Sequence, residues 1–434
     1  MKSNIAVCLM ALSLTACGET ARLPFSAGVG TDPKIPKATK TAIPTVKIAE
    51  AIGWPSGVTP KPAEGLAVKA FATGLEHPRW LHVLPNGDVL VAESNAPPKP
   101  KDGKGIKGAI MKLVMKKAGA GVPSANRITL LRDADGDGVA ETKTVFLSGL
   151  NSPFGMQVIG GDLYIANTDA VVKVAYASGE TAIAATPQKV ADLPAGSINH
   201  HWTKNLLASR DGKKLYATVG SNSNVAENGM AGEENRAAIL EIDLTTGATR
   251  RFASGLRNPN GLAWEPHSGA LWTVVNERDE LGSDLVPDYL TSVKDGGFYG
   301  WPYSYYGHHV DTRVAPQNPD MVARSIVPDY ALGSHVAPLG LAFYSATLMP
   351  QYAGGAVIGR HGSWNRNPRS GYDVIFVPFG GGRPAGAPQT ILDGFVNAEG
   401  KAMGRPVGVE VDKSGAILVA DDVGNVVWRV TPAS

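Results

Sequence analysis

His200 and His201 sit side by side in the run Ser197-Ile-Asn-His-His-Trp-Thr203. An imidazole near neutral pKa is suited to abstract a proton at physiological pH. Neighbouring side chains of an extended chain face opposite ways, so only one of the pair can point into a shared site. His201 is the expected base, with His200 the alternative. Arg257-Asn258-Pro259-Asn260-Gly261 mounts a planar guanidinium fork and an amide on a rigid Pro/Gly turn. Arg360-His361-Gly362 and Arg405 lie further on. Arg257, Arg360 and Arg405 hold comparable places in the chain and together could converge on one anionic ligand.

Carboxylates gather in two places. Asp133, Asp135 and Asp137 alternate before Gly138, with Glu141 behind them, which is how a loop wraps oxygen ligands around calcium. A full EF-hand is not expected, because Thr144 occupies the position of its bidentate acid. This loop reads as a structural calcium site or as an Asp/Gly turn that binds nothing. The run Asn276-Glu-Arg-Asp-Glu280 is highly charged for a strand end, and it could hold a cation beside an anionic ligand or remain a solvated loop.

The elements that must position these groups recur six times. The copies begin at His77, Asn151, His200, Arg257, Val336 and Gly404, and each is an apolar run, a Gly-containing turn and a second apolar run. One such pair of strands cannot bury its own apolar face, so repetition predicts an all-β, six-bladed β-propeller. The copies are spaced by about 65 residues against roughly 40 to 50 in common blade families, so some blades carry insertions. With 51 Gly and 31 Pro among 434 residues, turns are frequent enough for many short strands. A net charge of +2 with no one-signed basic face argues against a nucleic-acid partner.

Lys2, an apolar stretch too short to span a bilayer, and Leu14-Thr-Ala-Cys17 resemble a bacterial lipoprotein signal cut before a lipidated Cys17. The expected organisation is a signal at 1–16, a lipidated tether at 17–64 and the propeller at 65–434, in a periplasm-facing lipoprotein of the outer membrane. Part of the tether, around Ala49 to Trp54, is expected to pack. A lysine-rich stretch between the first two repeats reads as an insertion helix, a lid or a contact with lipid head groups.

Taken in order, HHWTKNL, RNPNGLAW, the charged strand end, GGFYGWP, HVAPLGLAFYS, IGRHGSWNR and GRPVGVEVDKSG resemble the soluble PQQ-dependent sugar dehydrogenases, nearest to their sorbosone dehydrogenase-like branch. The resemblance spans roughly residues 65–430. It implies PQQ and Ca2+ as cofactors, the calcium polarising the quinone, and oxidation of an aldose or sugar aldehyde by hydride transfer. It implies His201 as general base, with Arg257 and Asn258 touching cofactor and substrate. It places Arg405, His335 and Arg360 or His361 around the cofactor. Calcium would be held at Arg278 and Asp279, where glucose-type relatives have Gly-Pro, with Glu277 as a further ligand. A cytochrome or membrane quinone would take the electrons. Two other readings stay open. One is a calcium-dependent lactonase using Glu93, Asn276 and Glu277, and the other is a carbohydrate-binding propeller without catalysis.

Overall fold

The computed structural model describes residues 18–39, 45–98 and 116–433. Cys17, the signal ahead of it and most of the lysine-rich stretch lie outside the described residues. Six antiparallel sheets of four or five strands follow one another along the chain. Each recurring strand pair forms the two inner strands of one blade, as Pro78–Val83 with Val89–Glu93 does in blade 1 and Pro406–Val411 with Ile417–Asp421 in blade 6. The protein is a six-bladed β-propeller. The outermost strand of blade 6, Leu66–Ala72, comes from near the N-terminus and pairs with Val426–Pro432, so the two ends of the chain close the ring.

Antiparallel order puts the start of every inner strand and the end of every second strand on one face, here called the upper face. Aligning the repeats on Pro78, Pro153, Thr203, Pro259, Pro338 and Pro406 puts Arg79, Phe154, Lys204, Asn260, Leu339 and Val407 in one row. Phe154, Leu339 and Val407, from three different blades, fall in one buried apolar cluster with Trp80 and Trp202. That row therefore closes the axis beneath the upper face. The next residue is often glycine for a steric reason. A Cβ on Gly340 would come within 2.3 Å of the Val407 carbonyl oxygen, and one on Gly155 within 2.3 Å of the Leu206 amide nitrogen.

The N-terminal segment is part of this packing. Val29–Gly30 adds a fifth strand to blade 4 and Lys61–Pro62 a fifth to blade 5. Between them Ala49 is fully buried. Trp54 meets Phe395 and Trp428 edge-on at 5.5 and 5.3 Å and donates from its indole to Asp421 at 2.6 Å. Blade 4 carries the insertion between Pro287–Val293 and Tyr330–Ser334, which includes GGFYGWP. Gly296 N donates to Phe252 O and Tyr299 N to Ser254 O, tying this insertion to the outer strand of blade 3.

Candidate active site

His201 lies just before the inner strand of blade 3, half-buried, while His200 is exposed. Its Nδ1 is 2.7 Å from the Ser221 carbonyl oxygen and 3.1 Å from Ser221 Oγ. Ser221 Oγ donates its own proton to Ser223 O at 2.6 Å, so both oxygens facing Nδ1 are acceptors. Nδ1 must carry the hydrogen, and the lone pair is on Nε2. Blade 4 begins beside it, since Ser221 N donates to the Arg257 carbonyl at 2.7 Å. Gly220 separates His201 from Asn258: a Cβ there would lie 2.5 Å from His201 Cβ and 2.3 Å from Asn258 Oδ1. His201, Arg257 and Asn258 are thus brought together, and buried Asn258 Oδ1 has no partner among the described residues.

Arg257 is 2% exposed. It donates to Glu277 O at 2.7 Å, to Asn224 Oδ1 at 3.0 Å and to Asp279 Oδ2 at 2.8 Å. His335 approaches Asp279 from the other side at 3.4 Å and contacts Gly282 O at 3.0 Å. Burial pushes the Asp279 carboxyl up, but Arg257 and His335 outweigh it and hold the group well below the usual carboxylate range. Burial likewise opposes the charge on His335, yet Asp279 and Asp288 raise its pKa. His335 therefore buttresses Asp279 by charge.

A second cluster joins blades 1, 5 and 6. Asp422 Oδ2 accepts from His361 Nε2 at 2.9 Å and from Arg79 Nη1, and His77 Nε2 stands 3.5 Å away. Burial again opposes, but His361, His77 and Arg79 hold Asp422 well below the ordinary range. Arg79 lies over the rings of Phe154 and Trp202 at 5.9 and 5.7 Å. Arg405 lies over Tyr372 at 5.2 Å and donates to Ala49 O at 3.2 Å. Lys204 is fully buried against the carbonyls of Trp202 and His201 at 3.1 and 3.3 Å, and desolvation pushes its pKa well down.

Arg360 does not join these groups. Its guanidinium pairs with Asp373 on the neighbouring strand and donates to Leu332 O of blade 4 at 2.9 Å, beside Phe25. The strand register sets Arg360 opposite Asp373, so strand alternation turns the next residue, His361, toward Asp422 instead.

The family model for glucose / sorbosone dehydrogenase matches residues 160–362, and a TrAA12-like model matches residues 311–433. An uncharacterized protein from Borreliella burgdorferi is 30% identical over 298 residues, covering 65% of this chain and 76% of its own. The chain belongs to the glucose/sorbosone dehydrogenase family. The aldose sugar dehydrogenase YliI of Escherichia coli is 31% identical over 102 residues, 23% of this chain and 26% of its own. In fold, the chain is similar to the pyranose dehydrogenase PQQ domain of Coprinopsis cinerea, with a TM-score of 0.69 at 19% identity over 89% of this chain and 100% of that one.

Glucose/sorbosone dehydrogenase-type propellers imply a tricarboxylate quinone and a calcium ion, and these side chains suit the two unequally. The Nε atoms of Arg79, Arg257 and Arg405 are buried with no partner among the described residues, on three blades of one face. With Arg278 Nη2 and Arg366 Nε also unpartnered, the orphaned guanidinium donors suit a polyanionic ligand such as a tricarboxylate. Calcium at Glu277, Arg278 and Asp279 does not fit. The Glu277 carbonyl already accepts from Arg257, and the Asp279 carbonyl accepts from Asn224 at 3.3 Å, Arg313 at 3.4 Å and Arg278. Arg278 is itself a buried cation, paired with Asp311 at 2.6 Å. Burial raises the Glu277 carboxyl to about 8, so it is mostly protonated at neutral pH. Asp279 is ionised, but Arg257 and His335 already pair with it, so little uncompensated negative charge is left for a dication.

The lactonase ligand set does not assemble either. Glu93 is held by Arg127 at 3.0 Å through both oxygens, and Asn276 donates to Pro338 O at 2.8 Å. Asp133, Asp135, Asp137 and Glu141 do converge, with ligand atoms within 4.8 Å of one another. They lie in the turn between Arg127–Arg132 and Thr142–Leu147, on the lower face and away from the site. Backbone amides of Gly136, Gly138, Asp137, Val139 and Ala134 cap their oxygens. The spacing of conspicuous motifs missed Arg79, Lys204, Asn224 and Asp422. For Arg79 and Lys204 the signal was present as the residue after the aligned Pro or Thr of each repeat.

Proposed function

We propose that this chain oxidises an aldose or sugar aldehyde with PQQ as the acceptor of the hydride. The observation that supports this most is the tautomer of His201: Nδ1–H is committed to Ser221, so Nε2 is the atom that takes the substrate hydroxyl proton. PQQ, when bound, supplies an electrophilic quinone that accepts two electrons with the hydride. Arg79, Arg257 and Arg405 would hold its carboxylates, and Asn258 Oδ1 would accept from a donor on cofactor or sugar. Asp279 and His335 fix Arg257 in place, and Asp422 does the same for Arg79 and His361. The ring of buried side chains beneath this face, with Phe154, Leu339 and Val407 across the axis, keeps bulk water from entering from below.

The reading includes lipidation at Cys17 after signal cleavage, a periplasm-facing position in the cell envelope, and a cytochrome or membrane quinone as the final oxidant. Reconstituting the purified protein with PQQ and following dye reduction over a panel of aldoses tests it. Sugar-dependent reduction that requires PQQ is the expected result. Lactone hydrolysis with no quinone-dependent spectral change would overturn it.

A further inference from the structure

The segment read as an extended tether is built into the upper face well beyond the stretch from Ala49 to Trp54. Glu19 accepts from Ser283 N and Ser283 Oγ, each at 2.8 Å, Ala21 N donates to Asn367 O at 2.7 Å, and Arg22 N donates to Asp284 at 2.7 Å. Thr39 N donates to Leu281 O at 2.8 Å, Lys47 N to Trp364 O at 2.8 Å and Ile52 N to Ala402 O at 2.8 Å. Leu281, Ser283 and Asp284 belong to the loop after the second strand of blade 4, and Trp364 and Asn367 to the matching loop of blade 5. All of these lie on the face that carries His201 and Arg257. A free linker of some 45 residues would let an anchored propeller wander roughly 35 to 40 Å from its anchor. Here the chain from position 17 to Glu19 can extend no more than about 7 Å. Arg22, Lys34 and Lys37 are exposed in the same segment and outnumber its one exposed acid between them, Asp32, while Glu19 is turned inward against Ser283.

We propose that the protein sits on a lipid bilayer by its upper face, tied down at the rim of blades 4 and 5 and with the whole face turned toward the surface. The proposal rests on lipidation of Cys17. An acyl chain there fixes the rim to within a few ångströms of the head groups, and Arg22, Lys34 and Lys37 then meet anionic lipid. The mouth of the site opens beside the membrane, so a lipid-soluble oxidant reaches it by lateral diffusion and sugar enters from the side.

The test uses the full lipoprotein isolated from membranes and reconstituted in phosphatidylcholine/phosphatidylglycerol vesicles containing a spin-labelled lipid quencher. Once Cys17 is acylated, a fluorophore can be attached to a single introduced thiol. Ile52→Cys and Val122→Cys report on the upper face, and Val139→Cys and Leu348→Cys on the lower. All four positions are exposed, so each variant should fold. Severalfold stronger quenching at positions 52 and 122 is expected. Equal quenching on both faces, or stronger quenching at 139 and 348, in protein whose mass carries the acyl groups, overturns the orientation alone. An unshifted mass with a reactive Cys17 thiol overturns the lipidation reading and the docking with it.

Discussion

The Ser221 carbonyl oxygen lies 2.7 Å from His201 Nδ1, and this contact decides which ring nitrogen can act as a base. Because Ser221 Oγ gives its proton away to Ser223, the hydroxyl cannot reverse that assignment. His201→Asn should lower kcat/KM by about 10²- to 10⁴-fold. Binding of PQQ, read from its absorbance, should be unchanged. Ser221→Ala keeps the carbonyl and should cost less than about tenfold, and His200→Asn should leave turnover intact. Full loss of activity in His200→Asn with turnover surviving in His201→Asn would move the base to the neighbouring ring.

The partners of the arginines divide them into two groups, those with an unpartnered Nε on the upper face and Arg360, whose guanidinium is taken up by Asp373 and Leu332 O. Replacing Arg79, Arg257 or Arg405 with Met removes a hydrogen bond from a charged donor, worth about 1.5 to 3 kcal/mol. Each change should weaken PQQ binding by roughly 10- to 150-fold in equilibrium titration. Arg360→Met removes an ion pair with Asp373 on the adjacent strand of blade 5 and a hydrogen bond to Leu332 O of blade 4, and should lower the melting temperature while leaving PQQ affinity within about twofold. An affinity loss at Arg360 as large as at Arg405 would contradict this division.

The architecture was legible because two apolar runs around a Gly-containing turn recur six times, and a Gly near the start of several inner strands, as at Gly340, falls where neighbouring blades approach too closely for a Cβ. The histidine pair was legible too, at the opening of a repeat, and the fold sets His201 beside Arg257 and Asn258. Arg360 was misplaced because motif spacing does not say on which side of a strand a residue falls, and its register with Asp373 does. The charged run at Glu277 suggested a cation seat because carboxylates are visible in a sequence and their partners are not. Arg313 and Asp311 reach the run from an insertion more than thirty residues away in the chain. Arg79 was passed over because it stands outside the conspicuous motifs. Its role depends on Asp422, at the opposite end of the chain.

Calcium dependence provides a sharp test of that charge balance. Arg257, Arg278 and Arg313 already donate to the carbonyl oxygens of Glu277 and Asp279, and Arg257 to the Asp279 carboxylate. Chelation should therefore leave PQQ bound and turnover within about twofold. The same treatment releases any ion from the lower-face loop at Asp133 to Glu141, and that release should show as a change in stability alone. Loss of PQQ absorbance on chelation, restored by calcium, would mean that a cation displaces these guanidinium groups when the cofactor binds.

His77 gives the stability a pH dependence whose sign follows from its burial. Desolvation lowers its pKa from 6.5 to about 4, with Asp422 opposing and Arg79 assisting. Between those two values the unfolded chain binds a proton that the folded protein refuses, so stability falls as the pH drops through this window and is unaffected by this group above it. One group shifted this far removes roughly 2 kcal/mol between pH 6.5 and pH 5. Burial depresses His361 in the same direction, which steepens the slope. His77→Gln should make the urea midpoint less sensitive to acid over this range by about that amount, while at pH 7.5 the variant loses only its weak contact to Asp422. Superimposable profiles for variant and parent would show that His77 takes up its proton equally in the folded and unfolded chain, with Asp422 offsetting its burial.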